Sequence, residues 1–330
     1  SQRSNDIKVK LEWMGDTTDF ALETGQITIK PKVDLTAPDG NTTEGVGTTI
    51  PITFTHTGTT GDSWRILYST NGGDAGGGTY PNPANVITTV TLVAPSTPYT
   101  HNWTIPSLTS ILSGTVRVKV ELAGDETNVK DESANTFAIK GLITGVQPNG
   151  NADPALTEYW RVGQTKSITW GSTPSDQGNV TVVYSKDAGV NYVEPGDVIG
   201  TLNSSLLAQS WLIPSAAVTE QARFRVYRVA DSSVKGDTLN NVRIYYLALT
   251  SPASTELRVG NNYTFNWGKI GAFTVPSNEF KISVSKEGGA YAEITNPAAR
   301  PIGSSWQWTN IPASQRSNDI KVKLEWMGDT

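Results

Sequence analysis

Apolar and polar positions alternate with a period of two in three stretches that share one pattern: VGTTIPITFTH (46–56), VGQTKSITWGS (162–172) and VGNNYTFNWGK (259–269). Gly47, Gly163 and Gly260 align. Five residues later come Ile52, Ile168 and Phe265, and two further on Phe54, Trp170 and Trp267. That spacing puts the large residues on one face of a strand, turned toward a core. A second strand follows in each case, at SWRILYSTNGG (63–73), NVTVVYSKDAG (179–189) and EFKISVSKEGG (279–289), and each ends in a glycine-containing turn. A third match is NWTIP (102–106), SWLIP (210–214) and WTNIP (308–312). The fourth is TVRVKVEL (115–122), RFRVYRVA (223–230) and IKVKLEWM (7–14, again at 320–327), followed by Asp125, Asp231, Asp16 and Asp329. Closing strands are predicted at 135–140, 240–246 and 25–30.

Units of roughly 100 residues with about seven short strands and frequent turns are the profile of an immunoglobulin-like sandwich. The predicted fold is therefore all-β, as tandem immunoglobulin-like antiparallel β-sandwiches. One unit is expected at 33–140 and a second at 141–246. A third begins at 247 and lacks its closing strand at 330, while residues 1–32 read as the C-terminal part of a domain of this third type. Residues 1–17 and 314–330 are identical, SQRSNDIKVKLEWMGDT, so Ser314 repeats Ser1 with a period of 313. Internal repetition decides architecture, and here it points to a piece of a longer tandem array. The junctions IKPKVDLTAP (29–38), AIKGLITGVQP (138–148) and YYLALTSP (245–252) contain no Ser/Gly linker. Val33, Leu35, Leu142, Ile143, Val146, Leu247 and Leu249 sit at or near them, which predicts stiff joints.

The run TSPASTELRVGNNYTFNW (250–267) resembles the opening of Kre9/Knh1-type Ig-like domains, with an S-P-A start, a glycine and a strand ending in Trp. The first unit departs from that pattern, with Phe54 and His56 around the Trp position. The resemblance implies a secreted or surface-attached, cell-wall or fibre role, and brings no catalytic residues.

The net charge of −5 offers no basic face for nucleic acid. No apolar run approaches the ~20 residues needed to span a bilayer. No signal peptide is visible, as expected of a segment from within a longer chain. With no cysteine, disulfides and thiolate metal sites are excluded, and the ten Trp and eleven Tyr supply core volume instead.

Candidate chemistry is sparse. His56 and His101 have no HExxH or His/Cys partners. Neither a GxSxG elbow nor a P-loop occurs, and GGDAGGG (72–78) reads as a hairpin loop. The acidic turns at 123–133, 229–238 and 14–23 recur at one place in each unit. Calcium takes clustered carboxylates, which makes Asp125, Glu126, Asp131, Glu132, Asp231, Asp237, Asp16 and Asp19 weak calcium candidates. No DxDxDG spacing is present, and Asp also closes turns on its own backbone, so the turn reading is favoured and no metal or cofactor is expected. Trp103, Trp170, Trp211, Trp267 and Trp308 occupy core-facing positions, whereas Trp64, Trp160 and Trp306 are left open to exposure and to stacking on a sugar. Sequons occur at Asn41, Asn102, Asn179, Asn203 and Asn262.

The expected function is non-enzymatic: a structural repeat unit of a long extracellular fibre, stalk or surface layer, its partners being adjacent copies of itself joined head to tail. Three sandwiches end to end, on strands of about ten residues at ~3.4 Å each, predict an axial repeat on the order of 100 Å. The rival reading is an adhesin or glycan-binding array, which would group exposed aromatics on one loop face.

Overall fold

The computed structural model describes residues 4–328 apart from 23–24, 26, 82, 93–97, 151–157, 253–255, 272 and 274–276. Asp329 and Ala253 of the S-P-A start lie outside the described residues, as does the side chain of Asp19. Among the described residues, all regular structure is β-strand, apart from 3-10 turns of three residues. The chain forms two compact units, residues 1–142 and 143–330.

In the first unit, Thr49–His56 lies between Val33–Ala37 and Tyr99–Thr104 in an antiparallel sheet. It faces a second sheet ordered Thr43–Gly45, Phe137–Lys140, Ser113–Leu122, Ser63–Ser69, Val86–Thr91. The period-two pattern does the work expected of it. Ile50, Ile52 and Phe54 from one sheet meet Val116, Val118, Val120 and Leu122 from the other, all buried in one cluster. Full burial of each such side chain contributes roughly 1.5–3 kcal/mol. Nine strands are present between Val33 and Lys140 among the described residues, against about seven expected. The surplus comes from short edge pieces, Thr43–Gly45 and Lys130–Glu132, too short to show a period. The sandwich is also not wholly antiparallel, because Thr43–Gly45 runs parallel to Phe137–Lys140.

The second unit holds two sandwiches. The first has Leu142–Gln147, Thr165–Thr173 and Ala208–Leu212 in one sheet. Val198–Asn203, Asn179–Ser185, Thr219–Arg228 and Val242–Ser251 form the other, with Tyr159–Arg161 again parallel at the edge. The next sandwich is built from Tyr263–Ile270 and Ser305–Trp308 facing Ala292–Glu293, Phe280–Lys286 and Ile320–Trp326. Val242–Ser251 belongs to both sandwiches. Its N-terminal half pairs with Thr219–Arg228 and its C-terminal half with Tyr263–Ile270. The expected boundary at 246/247 thus falls inside one continuous strand.

The apolar residues expected at the joints mostly serve the core of the sandwich that follows: Val33, Ile143, Val146 and Leu247 are buried there, and Leu142 is exposed. Between the second and third sandwiches the contact is aromatic instead. Tyr159 and Tyr245 pack on Trp326 at 4.8 and 5.3 Å, and Tyr245 on Phe273 at 5.4 Å.

The aligned glycines have one physical reason. Gly47, Gly163 and Gly260 adopt φ of +81°, +85° and +83°, a region that costs side-chain-bearing residues energy. There each donates its N–H to the carbonyl of the Ile in the third motif, Ile105, Ile213 or Ile311, at 2.8–2.9 Å. WTNIP carries one residue more than NWTIP between Trp and Ile, and Asn310 at φ +48° accommodates it.

Candidate assembly interface

The acidic turns are occupied by protein groups. Asp125 pairs with Lys30 at 2.8 Å and accepts from the Asn128 amide. Glu126 pairs with Arg65 and accepts from the Gly124 N–H, the bond that does most to hold its carboxyl below the usual range. Asp131 accepts the Leu35 N–H at 2.7 Å, tying the turn to the first strand. Glu132 accepts from the Asp74 and Ala75 N–H groups, the Tyr80 hydroxyl and Arg117, and so clamps the glycine-rich loop 72–78. Burial, with Glu132 alongside, pushes the Tyr80 hydroxyl up. Asp231 accepts from Ser233, Asp237 forms a two-point pair with Arg225, and Asp16 accepts from Thr18, whose hydroxyl lowers its pKa. Asp19 lies on the strand Asp16–Leu22. Among the described residues no three His, Asp or Glu side chains gather into a metal-binding group.

His56 is buried against Trp64, and its Nδ1 accepts the Gly58 N–H. His101 lies on the strand Tyr99–Thr104, opposite Ile52. Trp103, Trp170, Trp211, Trp267 and Trp308 are all buried. Trp64 and Trp160, left open on sequence, are buried as well, since each strand turns its Trp inward between the sheets. Trp306 is half-buried on Phe265.

The duplicated segment is where the structure departs most from an ordinary domain. In its C-terminal copy, Ile320–Trp326 is one strand, paired over seven positions with Phe280–Lys286 from Phe280↔Trp326 to Lys286↔Ile320. Leu324 and Trp326 are buried, and the Trp326 indole N–H donates to the Ser277 carbonyl at 2.7 Å. In the N-terminal copy the same sequence forms two shorter strands, Ser4–Ile7 and Lys10–Trp13. There Val9, Leu11 and Trp13 are 52%, 73% and 65% exposed, against 7% for Leu324 and 2% for Trp326. One sequence is thus core in one place and surface in the other.

The N-terminal segment nevertheless carries the pairing scheme of a closing half-sandwich. Ser4 pairs with Ile29 and Ile7 with Ile27, with an irregularity between them. The first sandwich pairs Ser113 with Ile139 and Val116 with Phe137, and the second pairs Thr219 with Ile244 and Ala222 with Val242, with the same offset and irregularity. The hairpin arm repeats too: Lys10↔Leu22, Lys119↔Glu132 and Arg225↔Asp237.

Ile320–Trp326 pairs on one edge only among the described residues, whereas Ser113–Leu122 is paired on both. Thr43–Gly45 and Tyr159–Arg161 each lie parallel to a closing strand, locked by Val46 N–H to the Lys140 carbonyl and Val162 N–H to the Tyr245 carbonyl. Their counterpart by the V-G motif, Glu256–Arg258, is in no strand. It lines a groove of about 280 Å³ with Asn261, Tyr263 and Ile311. Sequence reasoning did not find this groove, although ELRVG aligns with TEGVG and YWRVG.

No family model matches the chain, and no curated protein sequence matches it. Among solved structures it is similar to three immunoglobulin domains of titin, I67–I69 in a mutated variant, at 11% identity over 89% of this chain and 96% of that one, TM-score 0.27. It is also similar to the ICAM-5 D1–D4 ectodomain fragment, at 13% identity over 97% and 83%, TM-score 0.32. A third is the fibronectin(III)-like modules of CbhA from Clostridium thermocellum, at 14% over 64% and 94%, TM-score 0.19. The immunoglobulin-like assignment rests on the sheet order and core described above. No helix among the described residues is long and apolar enough to cross a membrane.

Proposed function

We propose that the chain is a structural repeat unit of an extracellular, cell-surface fibre, stalk or surface layer, assembled head to tail with a period of 313 residues and without catalytic activity. The observation that carries this reading is the exact recurrence of residues 1–17 at 314–330, one period of 313 residues, on a run of immunoglobulin-like sandwiches. A contact between two different surfaces of one unit does not close on itself, so it propagates as a filament. The resemblance of residues 250–267 to Kre9/Knh1-type domains agrees with a wall or surface role. The acidic turns work as turns and ion pairs, with calcium no part of the assembly.

Negative-stain imaging of the parent protein tests this. Filaments with an axial repeat on the order of 100 Å, or an integer fraction of it, are expected. Imaging that shows the parent protein as a compact monomer refutes the reading.

A further inference from the structure

The two sheets of each sandwich differ in what they turn outward. In the first sandwich, Thr49 and Thr53 stand opposite Thr104 and Thr100 on the outer face of the three-stranded sheet, and the hydroxyls of each pair share a hydrogen bond at 2.8 and 2.9 Å. In the second, Ser167 stands opposite Ser210. In the third, Thr264 stands opposite Gln307 and Asn266 opposite Ser305, beside the C-terminal half of Val242–Ser251. Asp34 is the single outward charge on the strands of these three faces among the described residues. Lys166 and Lys269 lie opposite buried Trp211 and Leu247 and reach the rings of Trp160 and Phe280. The opposite sheets carry the charge, with Lys119 and Glu121 in the first sandwich, Arg225 and Asp237 in the second, and Lys323 and Glu325 in the third. A surface that meets only water typically carries roughly a quarter to a third of charged residues, so uncharged faces on all three sandwiches call for an explanation.

The shared strand sets the direction of two of these faces. Val242 and Ile244 enter the second core, whereas Tyr245 and Leu247 enter the third. Alternate residues point to opposite faces of a strand, so the two cores lie on opposite sides of Val242–Ser251. Tyr246 and Thr250, beside Gly268, are on the outer face of the third sandwich, and that is the side on which the second core lies. The uncharged faces of both sandwiches therefore turn to one side of residues 143–330, and the charged faces to the other.

We infer that this side is where neighbouring arrays pack laterally, uncharged face against the uncharged face of a second copy. This rests on the tandem-repeat reading and adds how one array meets the next. Two copies of a chain with net charge −5 meet there without bringing like charges together. Threonine hydroxyls already bonded to each other across the strands lose little on leaving water. Size decides how many repeats are needed. Three strands ~4.8 Å apart and about six residues at ~3.4 Å each make a face on the order of 300 Å². Two such faces fall short of the ~800 Å² per partner that a stable contact takes, so one period binds weakly. Two or more periods exceed it and gain avidity.

Tandem arrays test the contact: the 330-residue chain alone, and the same chain extended by one and by three further copies of residues 18–330. By sedimentation velocity the chain alone should stay monomeric, and the longest array should associate at least tenfold more tightly than the array with one added copy. Electron microscopy of the longest array should show side-by-side bundles. Raising the salt should leave them intact, since no ion pair crosses the contact. Ser210→Glu with Thr264→Glu in every period should abolish bundling. Lys235→Glu, on the strand Asp231–Asp237 of the charged face and equal in its change of net charge, should not. Melting curves check that both variants stay folded. If the longest array forms single filaments at every concentration, if salt disperses the bundles, or if Lys235→Glu disrupts them and the double variant does not, lateral packing through this side is overturned and the repeat-unit reading stands. Single filaments that co-sediment with an insoluble neutral glucan overturn it as well, and assign the face to a glycan. Arrays that collapse into compact particles sink both readings.

Discussion

Tyr245→Ala probes how the second and third sandwiches are coupled. Tyr245 is 5% exposed and lies on the strand the two sandwiches share. Its ring meets Trp326 at 5.3 Å and 72° and Phe273 at 5.4 Å and 80°, both edge-to-face. A buried aromatic removes roughly 150–250 Å² from water, which at about 25 cal/mol per Å² is about 4–6 kcal/mol. Alanine retains part of that, and large-to-small core changes of this kind cost about 3–5 kcal/mol. Two edge-to-face pairs add about 0.5–1.5 kcal/mol each, so the expected loss is about 4–8 kcal/mol, concentrated where the sandwiches meet. Because that contact lies where the second and third sandwiches meet, on the strand they share, its loss should change cooperativity as well as stability. Scanning calorimetry of the full chain should show the second and third sandwiches melting together in the parent. In Tyr245→Ala the third should leave as a separate, lower transition. A parent in which they already melt apart, or a variant that loses under about 1 kcal/mol with the joint transition intact, would show that the ring cluster does not couple them.

Gly163→Ala should cost about 1–2 kcal/mol by urea titration, because φ is +85° while a Cβ would meet nothing within 4 Å, leaving backbone strain as the whole effect. Gly73→Ala should cost more, since at φ +63° its Cβ would also lie 2.5 Å from the Tyr80 hydroxyl. The Asp187 carboxyl, held down by the Ser185 hydroxyl and then by the Asn191 N–H and amide, should titrate near 2 when followed by NMR. Because its folded pKa lies below the unfolded 3.8, its contribution to stability is present above about pH 4 and is lost as pH falls through about 2. Asp187→Asn should flatten that part of the acid-stability profile. Adding a chelator should leave the melting temperature within about two degrees, and a shift of about ten degrees or more would mean that Asp125 and Asp131 hold a cation.

Much of this was legible because the chain repeats itself. Three alignable copies turned single glycines and tryptophans into positions, so the inward faces at Ile52, Ile168 and Phe265 could be read from spacing alone. The fourth motif was aligned less well. The bridges match Val116 with Ala222 and Ile7, whereas aligning TVRVKVEL, RFRVYRVA and IKVKLEWM end to end places Thr115 against Arg223 and Ile7. The charged residues between the apolar ones look alike in either frame, and only pairing with the closing strand fixes the register. Trp160 lies on the three-residue edge strand Tyr159–Arg161, too brief to assign a face, and Trp64 lies at the second position of Ser63–Ser69, before the alternation is established. The shared strand Val242–Ser251 was invisible for the opposite reason. RIYYLALTS is apolar on both faces, because one half serves each sandwich, so nothing in the pattern marks a change of domain. The acidic turns suggested a cation only because the partners that occupy them, Lys30, Arg65 and the Leu35 N–H, come from distant parts of the sequence.

That shared strand also decides how tension would travel through this part of the chain. A pull along Val242–Ser251 passes from one sandwich to the next through covalent backbone, with no linker to stretch first. Its two halves are bonded to different neighbours, Thr219–Arg228 and Tyr263–Ile270. The load therefore reaches both ladders at once and acts along the strand, across the hydrogen bonds. Several bonds must slide together before either half yields, instead of opening one after another from an end. At this joint the chain should resist extension stiffly up to a threshold and then give way abruptly.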